Sequence, residues 1–487
     1  MNSWVCVGLV VSLAFGVFGG SANVGEAGSD AGAAVTGKTP CPVLTGTPEA
    51  PMTRGSDGPR VLNPCPGFEW AKTFGMAQVY DAALSLDITS DGGAVVLVRS
   101  SGDLGGGTVV TMATVVKLDG EGTVQWQKRY DALAGLGGDI QETSDGGFAL
   151  VITGTSSAPA SLIVYRLDMS GDLLWQAGFE GPGNERAISI AETQDGGIAV
   201  GAITDSDLLV FRLNPAGGIV WERIYGDSTD VFPGDLAATP DGGFAIAGRT
   251  YPGSGSSDGW VMKIDASGNL AWQKRYIGVA TVDSIQTTAD GGFVLVGTVI
   301  SPVTKWLIMK LTSTGAISWQ KTYGEAGGSS SIVQTSDGGY VSSMALATTD
   351  RHWELALLRI TSTGAKVWQR SYGGTLADRP CIRHCVREAP DGNILVAGST
   401  YSFGTGGTGS DTYFKTDAWV LRVFSDGSIS ATCDPAFGTA LNSPTVQGSR
   451  IRVGSLTFTS SVSSMTTLDP GATATPGTLV TTTQCSA

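Results

Sequence analysis

From Phe68 to about Thr432 the chain alternates short apolar runs with turns rich in glycine and aspartate. One copy of the pattern shows its grammar. Its apolar runs are Asp283 to Thr288, Gly292 to Val299, Lys305 to Leu311 and Ala316 to Tyr323, and Asp-Gly or single-glycine turns part them. Asp-Gly supplies the positive-φ positions of tight hairpins, so adjacent runs are expected to pair antiparallel. Two markers recur along the chain. Asp-Gly-Gly stands at Asp91, Asp145, Asp195, Asp241, Asp290 and Asp337, with Asp-Gly-Asn at Asp391, at spacings of 54, 50, 46, 49, 47 and 54 residues. Between them, Trp-x-x-x-(Tyr or Phe) begins at Trp70, Trp126, Trp175, Trp221, Trp272, Trp319 and Trp368. Four short strands per unit of roughly 50 residues is the pattern of a propeller blade, whose sheet buries both faces against its neighbours. The expected fold is all-β: a seven-bladed β-propeller of four-stranded antiparallel blades over residues 65–433.

The ends suggest how the ring closes. The last unit has Ala431 where tryptophan is expected, whereas the first begins Gly67-Phe68-Glu69-Trp70. Phe68 to Phe74 is therefore expected to pair with the final blade. Residues 434–487 turn to Thr, Ser and Gly, with alternating stretches at Arg450 to Phe458 and Gly477 to Gln484. This Thr/Ser-rich β extension is expected to form a strand pair bracketed by a Cys433–Cys485 bond, with a disordered or glycosylated stalk as the alternative.

Composition adds an address. The apolar run Trp4 to Phe18 followed by Gly-Gly-Ser-Ala predicts a signal peptide over 1–22, although its n-region lacks Lys and Arg. Residues 23–64, rich in Ala, Gly, Pro and Thr, predict a flexible linker. No later stretch is long enough for a membrane span. The expected location is secreted, periplasmic or cell surface. A net charge of −14 disfavours nucleic acid, because phosphate binding needs clustered Lys and Arg. After cleavage the cysteines are Cys41, Cys65, Cys381, Cys385, Cys433 and Cys485, all disulfide candidates of undetermined pairing. Cys381 and Cys385 would stand about 13 Å apart on a regular strand, so bonding them requires a turn or kink. A metal held by this pair with His384 is the less favoured reading; no metal and no cofactor are expected.

Candidate chemistry lies where repeats differ. Every unit carries Lys or Arg late in its third strand: Lys117, Arg166, Arg212, Lys263, Lys310, Arg359 and Arg422. A feature shared by all blades serves the scaffold, here through a charge pair with a turn carboxylate or stem packing on an aromatic, and blade packing likewise accounts for the tryptophans. The innermost strands diverge. One aligned position holds Ser85, Asp139, Ser189, Asp235, Ser284, Ser331 and Cys385; two residues later stand Asp87, Gln141, Ala191, Ala237, Gln286, Val333 and Arg387. Alternation puts both positions on one face. Asp87, Asp139, Asp235 and Arg387 are thus candidate channel residues for binding, and Asp139 with Asp235 a candidate carboxylate pair for polysaccharide cleavage. The two histidines, His352 and His384, lie in no catalytic motif. Loops such as Asp168 to Asp172 and Asp265 to Asn269 have too few carboxylates for calcium.

The unit Lys263 to Trp272 resembles the tryptophan-docking repeat of quinoprotein-type propellers. Asp265 to Gly268 is one residue shorter than in that family, which has eight units, and no adjacent cysteine pair is present, so dehydrogenase activity is not implied. A nearer resemblance, on Thr335 to Tyr340 and Trp319 to Gly324, is to exported bacterial and archaeal propeller proteins with Thr-x-Asp-Gly-Gly and Trp-x-(Lys or Arg)-x-(Tyr or Phe)-Gly repeats. It implies a surface or secreted binding scaffold. The expected protein is a monomeric binding module without catalytic activity, with an unknown protein or carbohydrate ligand. A polysaccharide-active enzyme and a structural part of the cell envelope are the alternatives. The loops Tyr251 to Asp258 and Ala397 to Asp417 are the expected ligand-facing segments.

Overall fold

A computed structural model describes residues 70–429 apart from short stretches such as 104–108, 252–256, 348–352 and 404–415, with the backbone of seven short strands between 439 and 486. The expected signal peptide and linker, Cys41, Cys65, Cys433 and His352 lie outside the described residues. Hairpin follows hairpin, and the strands gather into seven four-stranded antiparallel blades arranged as a ring. The unit dissected above folds as Thr281–Thr287, Phe293–Ile300, Thr304–Leu311 and Ile317–Glu325, from the channel outward. The first two blades share one long strand, Val124–Glu142, which is outermost in the first and innermost in the second.

Each blade is apolar on both faces because each face is an interface. Seven hydrophobic clusters fill the gaps between neighbouring blades, one per gap. The repeat markers lock these gaps. The tryptophan indole donates to a hairpin carbonyl of the next blade, as Trp221 does to Ala266 at 2.9 Å and Trp368 to Ser425 at 3.0 Å. The aromatic four residues on reaches the same hairpin: the Tyr276 hydroxyl donates to the Gly315 carbonyl at 2.8 Å. The hairpin glycine is obligatory on two grounds at Gly171, which has φ +74° and where a Cβ would lie 2.7 Å from the Trp126 ring. Removing the Tyr276 hydroxyl in Tyr276→Phe should cost about 0.5–1.5 kcal/mol in urea denaturation, the net worth of one such bond.

The sevenfold basic ring pairs with turn carboxylates. Lys117 meets Asp91, Arg166 meets Asp145, and the pattern continues through Lys310 with Asp290 to Arg422 with Asp391. Each aspartate also accepts from the amide two residues on, as from Gly292 to Asp290, so the Asp-Gly-Gly turn is built around its own carboxylate. These turns and the indole-capped hairpins share one side of the ring, the turn face. The remaining connections lie on the other side, the loop face.

Trp70–Gly75 pairs with Asp417–Val423 and supplies the fourth strand of the seventh blade, so strands from both ends of the repeat region close the ring. The C-terminal extension takes a different course from the expected strand pair. Its short strands add, one after another, to the outer edges of successive blades: Thr439–Ala440 to the sixth, Gln447–Gly448 to the fifth, Arg452–Gly454 to the fourth, and so on round to Val480–Ser486 on Trp70–Gly75. The physical reason is that an outer strand leaves a row of unpaired backbone groups, which a Thr/Ser-rich segment can satisfy with no core of its own.

Candidate functional site

The innermost strands carry a local irregularity that sets the site. In most blades one extra residue interrupts the ladder just before the aligned channel position, as between Pro233 and Asp235 or Ala83 and Ser85. Such bulges re-aim the side chain that follows. In the seventh blade the irregularity is enlarged. The inner strand breaks into Asp378–Pro380 and Val386–Glu388, and Ala397 of the next strand bonds both edges of the gap, accepting from the Cys381 amide at 3.0 Å and donating to the Cys385 carbonyl at 2.8 Å. A Cys381–Cys385 disulfide closes the excursion, with Cα atoms 5.3 Å apart. This is the kink that bonding the pair required, and it leaves neither sulfur as a free thiolate for a metal. Among the described residues no group of His, Cys, Asp or Glu has the makings of a metal centre.

The tip of this loop enters the channel. His384 has φ +47°, a left-handed backbone that a non-glycine residue adopts only when its surroundings fix it. Its carbonyl accepts from the Leu86 amide of the first blade at 3.2 Å. Its ring lies between two aspartates: Nδ1 is 2.9 Å from Asp139 Oδ1 in the second blade, and Nε2 is 3.1 Å from Asp235 Oδ1 in the fourth. Both carboxylates are fully buried. Asp139 also accepts from the Ser85 hydroxyl at 2.5 Å and the Ser189 hydroxyl at 3.1 Å, and from the Ile140 and Ile190 amides. Asp235 accepts from the Ser284 hydroxyl at 2.9 Å and from the Leu236 and Ile285 amides. Three of the serines at the aligned position, Ser85, Ser189 and Ser284, are thus donors that hold the two aspartates.

Burial works against charge on all three groups, and their mutual attraction outweighs it. Burial pushes the His384 imidazole down, but the charges of Asp139 and Asp235 raise it to about 10. Burial pushes the Asp139 carboxyl up, but the His384 charge and its hydrogen bond, with those of Ser85 and Ile190, bring it down to about 2. Asp235 is lowered by the same partner. At neutral pH the centre is an imidazolium between two carboxylates. Arg383, half-buried beside it, donates from Nε to the Gly234 carbonyl at 2.7 Å and supplies a second positive charge against the pair. Two cations and two anions balance.

Among the expected channel residues, Asp139 and Asp235 therefore meet, through His384. Asp87 and Arg387 meet separately, with Nε 2.9 Å from Oδ1 across the gap between the first and seventh blades. The functional residue that sequence reasoning did not place is His384. The signal was present: it is one of two histidines, flanked by cysteines four apart at the aligned channel position.

Around this plug lie two cavities. One of about 290 Å³ is bounded by His384, Arg387 and Gln286 toward the turn face. The other, of about 380 Å³, lies toward the loop face, with Phe232, Arg186, Arg249 and Arg383 along its walls. The Arg249 guanidinium stacks 5.3 Å over Phe232 and 5.6 Å over Tyr251. The calcium-like loops are plain hairpin turns, in which Asp168 accepts from the Ser170 and Asp172 amides and Asp265 from those of Ser267 and Asn269.

The disulfide shapes this site, so its loss is measurable. Cys381→Ser with Cys385→Ser should lower stability by about 2 kcal/mol, the loop-closure value for so short a ring. A reductant should lower the urea midpoint of the native chain further than that of the double variant, by a matching amount.

No family model matches the chain, and no curated protein matches it. Solved structures do. A protein of unknown function from Dyadobacter fermentans is 12% identical, with 71% of this chain and 95% of that one covered, at a TM-score of 0.41. A second, from Bacteroides caccae, is 10% identical, with 58% and 91% covered, at 0.36. The extracellular domains of Drosophila Semaphorin 1b are 9% identical, with 73% and 86% covered, at 0.40. Likeness this distant carries nothing about activity. The propeller rests on the blades themselves, and a rigid ring with varied loops on one face is in general a scaffold for interaction.

Proposed function

We propose that this protein is an exported, non-catalytic binding module that takes its ligand on the loop face. The observation that carries the reading is the commitment of the channel carboxylates. Asp139 and Asp235 have no exposed surface, and both hold one imidazolium. Two-carboxylate glycoside cleavage needs one carboxylic acid to protonate the leaving group and a second carboxylate open to water or sugar. Neither group offers that. His384 has an aspartate on each nitrogen and no serine on either, so it does not form a nucleophilic triad. The channel chemistry thus serves to tie the seventh blade across the ring to the second and fourth. The loop face, by contrast, differs from blade to blade and keeps open cavities. Export and a surface or secreted location rest on the amino-terminal pattern and on the repeat resemblance.

The test is a glycan-array screen of the purified full chain, with each bound glycan incubated and analysed for cleavage. Binding without cleavage is the expected result. Cleavage that disappears in Asp139→Asn or Asp235→Asn would replace the binding module with an enzyme.

A further inference from the structure

A further loop-face cavity, about 510 Å³, lies where the sixth, seventh and first blades meet. Its walls carry two guanidiniums, Arg99 and Arg379, and three aromatic rings, Tyr80, Trp353 and Tyr401. Among the described residues no acidic side chain lines it. The guanidiniums are held by stacking: Arg99 sits 5.4 Å over the Tyr80 ring, and Arg379 sits 5.3 Å over Trp353. Among the described residues neither joins an ion pair, and the buried Nε of Arg99 has no hydrogen-bond partner. Arg249 is held in the same way over Phe232 and Tyr251 beside the other loop-face cavity, and these arginines differ from the basic residues of the turn face. The net charge is −14, and the basic residue of every blade on the turn face is matched by an aspartate.

We infer that this cavity is a binding site for an acidic sugar, a pyranose bearing a carboxylate. Attraction to the ring beneath holds each guanidinium without using its N–H donors, which can then grip a carboxylate through paired bonds. The side chains of Tyr80, Trp353 and Tyr401 add apolar surface against which the C–H groups of a sugar can pack, and Ser399 lies on the same wall. The volume lies in the range of small-ligand sites. An acidic peptide is the weaker fit, since extended peptides dock on free sheet edges and the C-terminal extension already pairs with the blades' outer edges. The assignment rests on the binding-module reading and gives it a ligand class.

The experiment is calorimetric titration of the full chain with trigalacturonate, with a neutral galactose trimer, with benzoate and with a tri-glutamate peptide. The uronate is expected to bind at least about tenfold more tightly than the neutral trimer, with affinity falling as salt rises. Arg99→Gln and Arg379→Gln should each weaken the uronate by about tenfold or more, the scale of a lost charged hydrogen bond. Arg379 is exposed, so its variant is expected to keep the native melting profile. Uronate affinity indifferent to both variants, or equal affinity for the neutral trimer, would overturn the site. Binding of benzoate or of the peptide without the uronate would overturn the sugar. A glycan bound without dependence on Arg99 or Arg379 removes this site but leaves the binding module standing, whereas Arg-dependent binding followed by cleavage removes the non-catalytic reading but keeps the site.

Discussion

His384→Ala should destabilise the fold by about 3–5 kcal/mol at pH 6, the usual cost of stripping a buried charge pair of one partner. Two buried carboxylates, Asp139 and Asp235, would be left facing each other with only hydroxyls and amides to hold them. The pH dependence separates this from a simple loss of packing. The folded-state pKa of His384 is raised to about 10, above its unfolded value near 6.5. Its contribution is therefore complete below pH 6.5 and is lost as pH rises from there through about 10. Asp139 is lowered to about 2, so its contribution is complete above about pH 4 and is lost as pH falls through about 2. Native stability from this centre should be flat between about pH 4 and 6.5 and decline on the alkaline side. In His384→Ala the alkaline decline disappears and the sign reverses in acid. With the imidazolium gone, burial and mutual repulsion raise the carboxyls, and the variant gains stability as pH falls below neutral. Urea midpoints at pH 4.5, 6 and 8.5 for the native chain, His384→Ala and His384→Gln would show it. A parallel offset of all three proteins across pH would mean that the ring contributes packing alone.

Phe74→Ala and Trp70→Ala should each cost about 3–5 kcal/mol, the range for truncating a large core aromatic. Both side chains are nearly or fully buried and pack in the gap between the seventh and first blades. The Trp70 indole also donates to the Gly120 carbonyl of the first blade at 3.2 Å. Six residues of strand thus hold the two ends of a long chain together. Loss of this contact frees the seam, so limited proteolysis of either variant should begin near the seam and in the C-terminal extension laid over it. Phe179→Ala, an equally buried aromatic away from the seam, is the control: similar thermodynamic cost without accelerated cutting at the ends. A cost below about 1 kcal/mol for Phe74→Ala would show that the ring stays closed without this strand.

The ring was legible because its information is local and repeated. Hairpin turns need Asp-Gly at fixed offsets, blade faces need apolar residues on both sides, and a tryptophan must reach the next hairpin; each demand leaves a mark in every copy. The mismatch at Ala431 against the Trp70 segment likewise contained the closure. That Asp139 and Asp235 share the inner-strand position of their blades was legible because strand alternation is a local rule. What decides their chemistry is not local. Asp139 and His384 stand 245 residues apart, and nothing in either segment specifies the other. They meet because the ring brings the seventh blade round to the channel, and because a disulfide-closed excursion, longer than the bulge of the other blades, carries the histidine across it. Arg99 and Arg379 follow the same logic. Each looks like an ordinary strand arginine until three blades converge and leave it over an aromatic ring, with no acid to meet among the described residues. The sequence by itself determined the blades, their number and the strand that closes them, through short-range hydrogen bonding and packing. Only the tertiary structure decided which charges find partners, because electrostatic pairing depends on distances that ring closure alone sets.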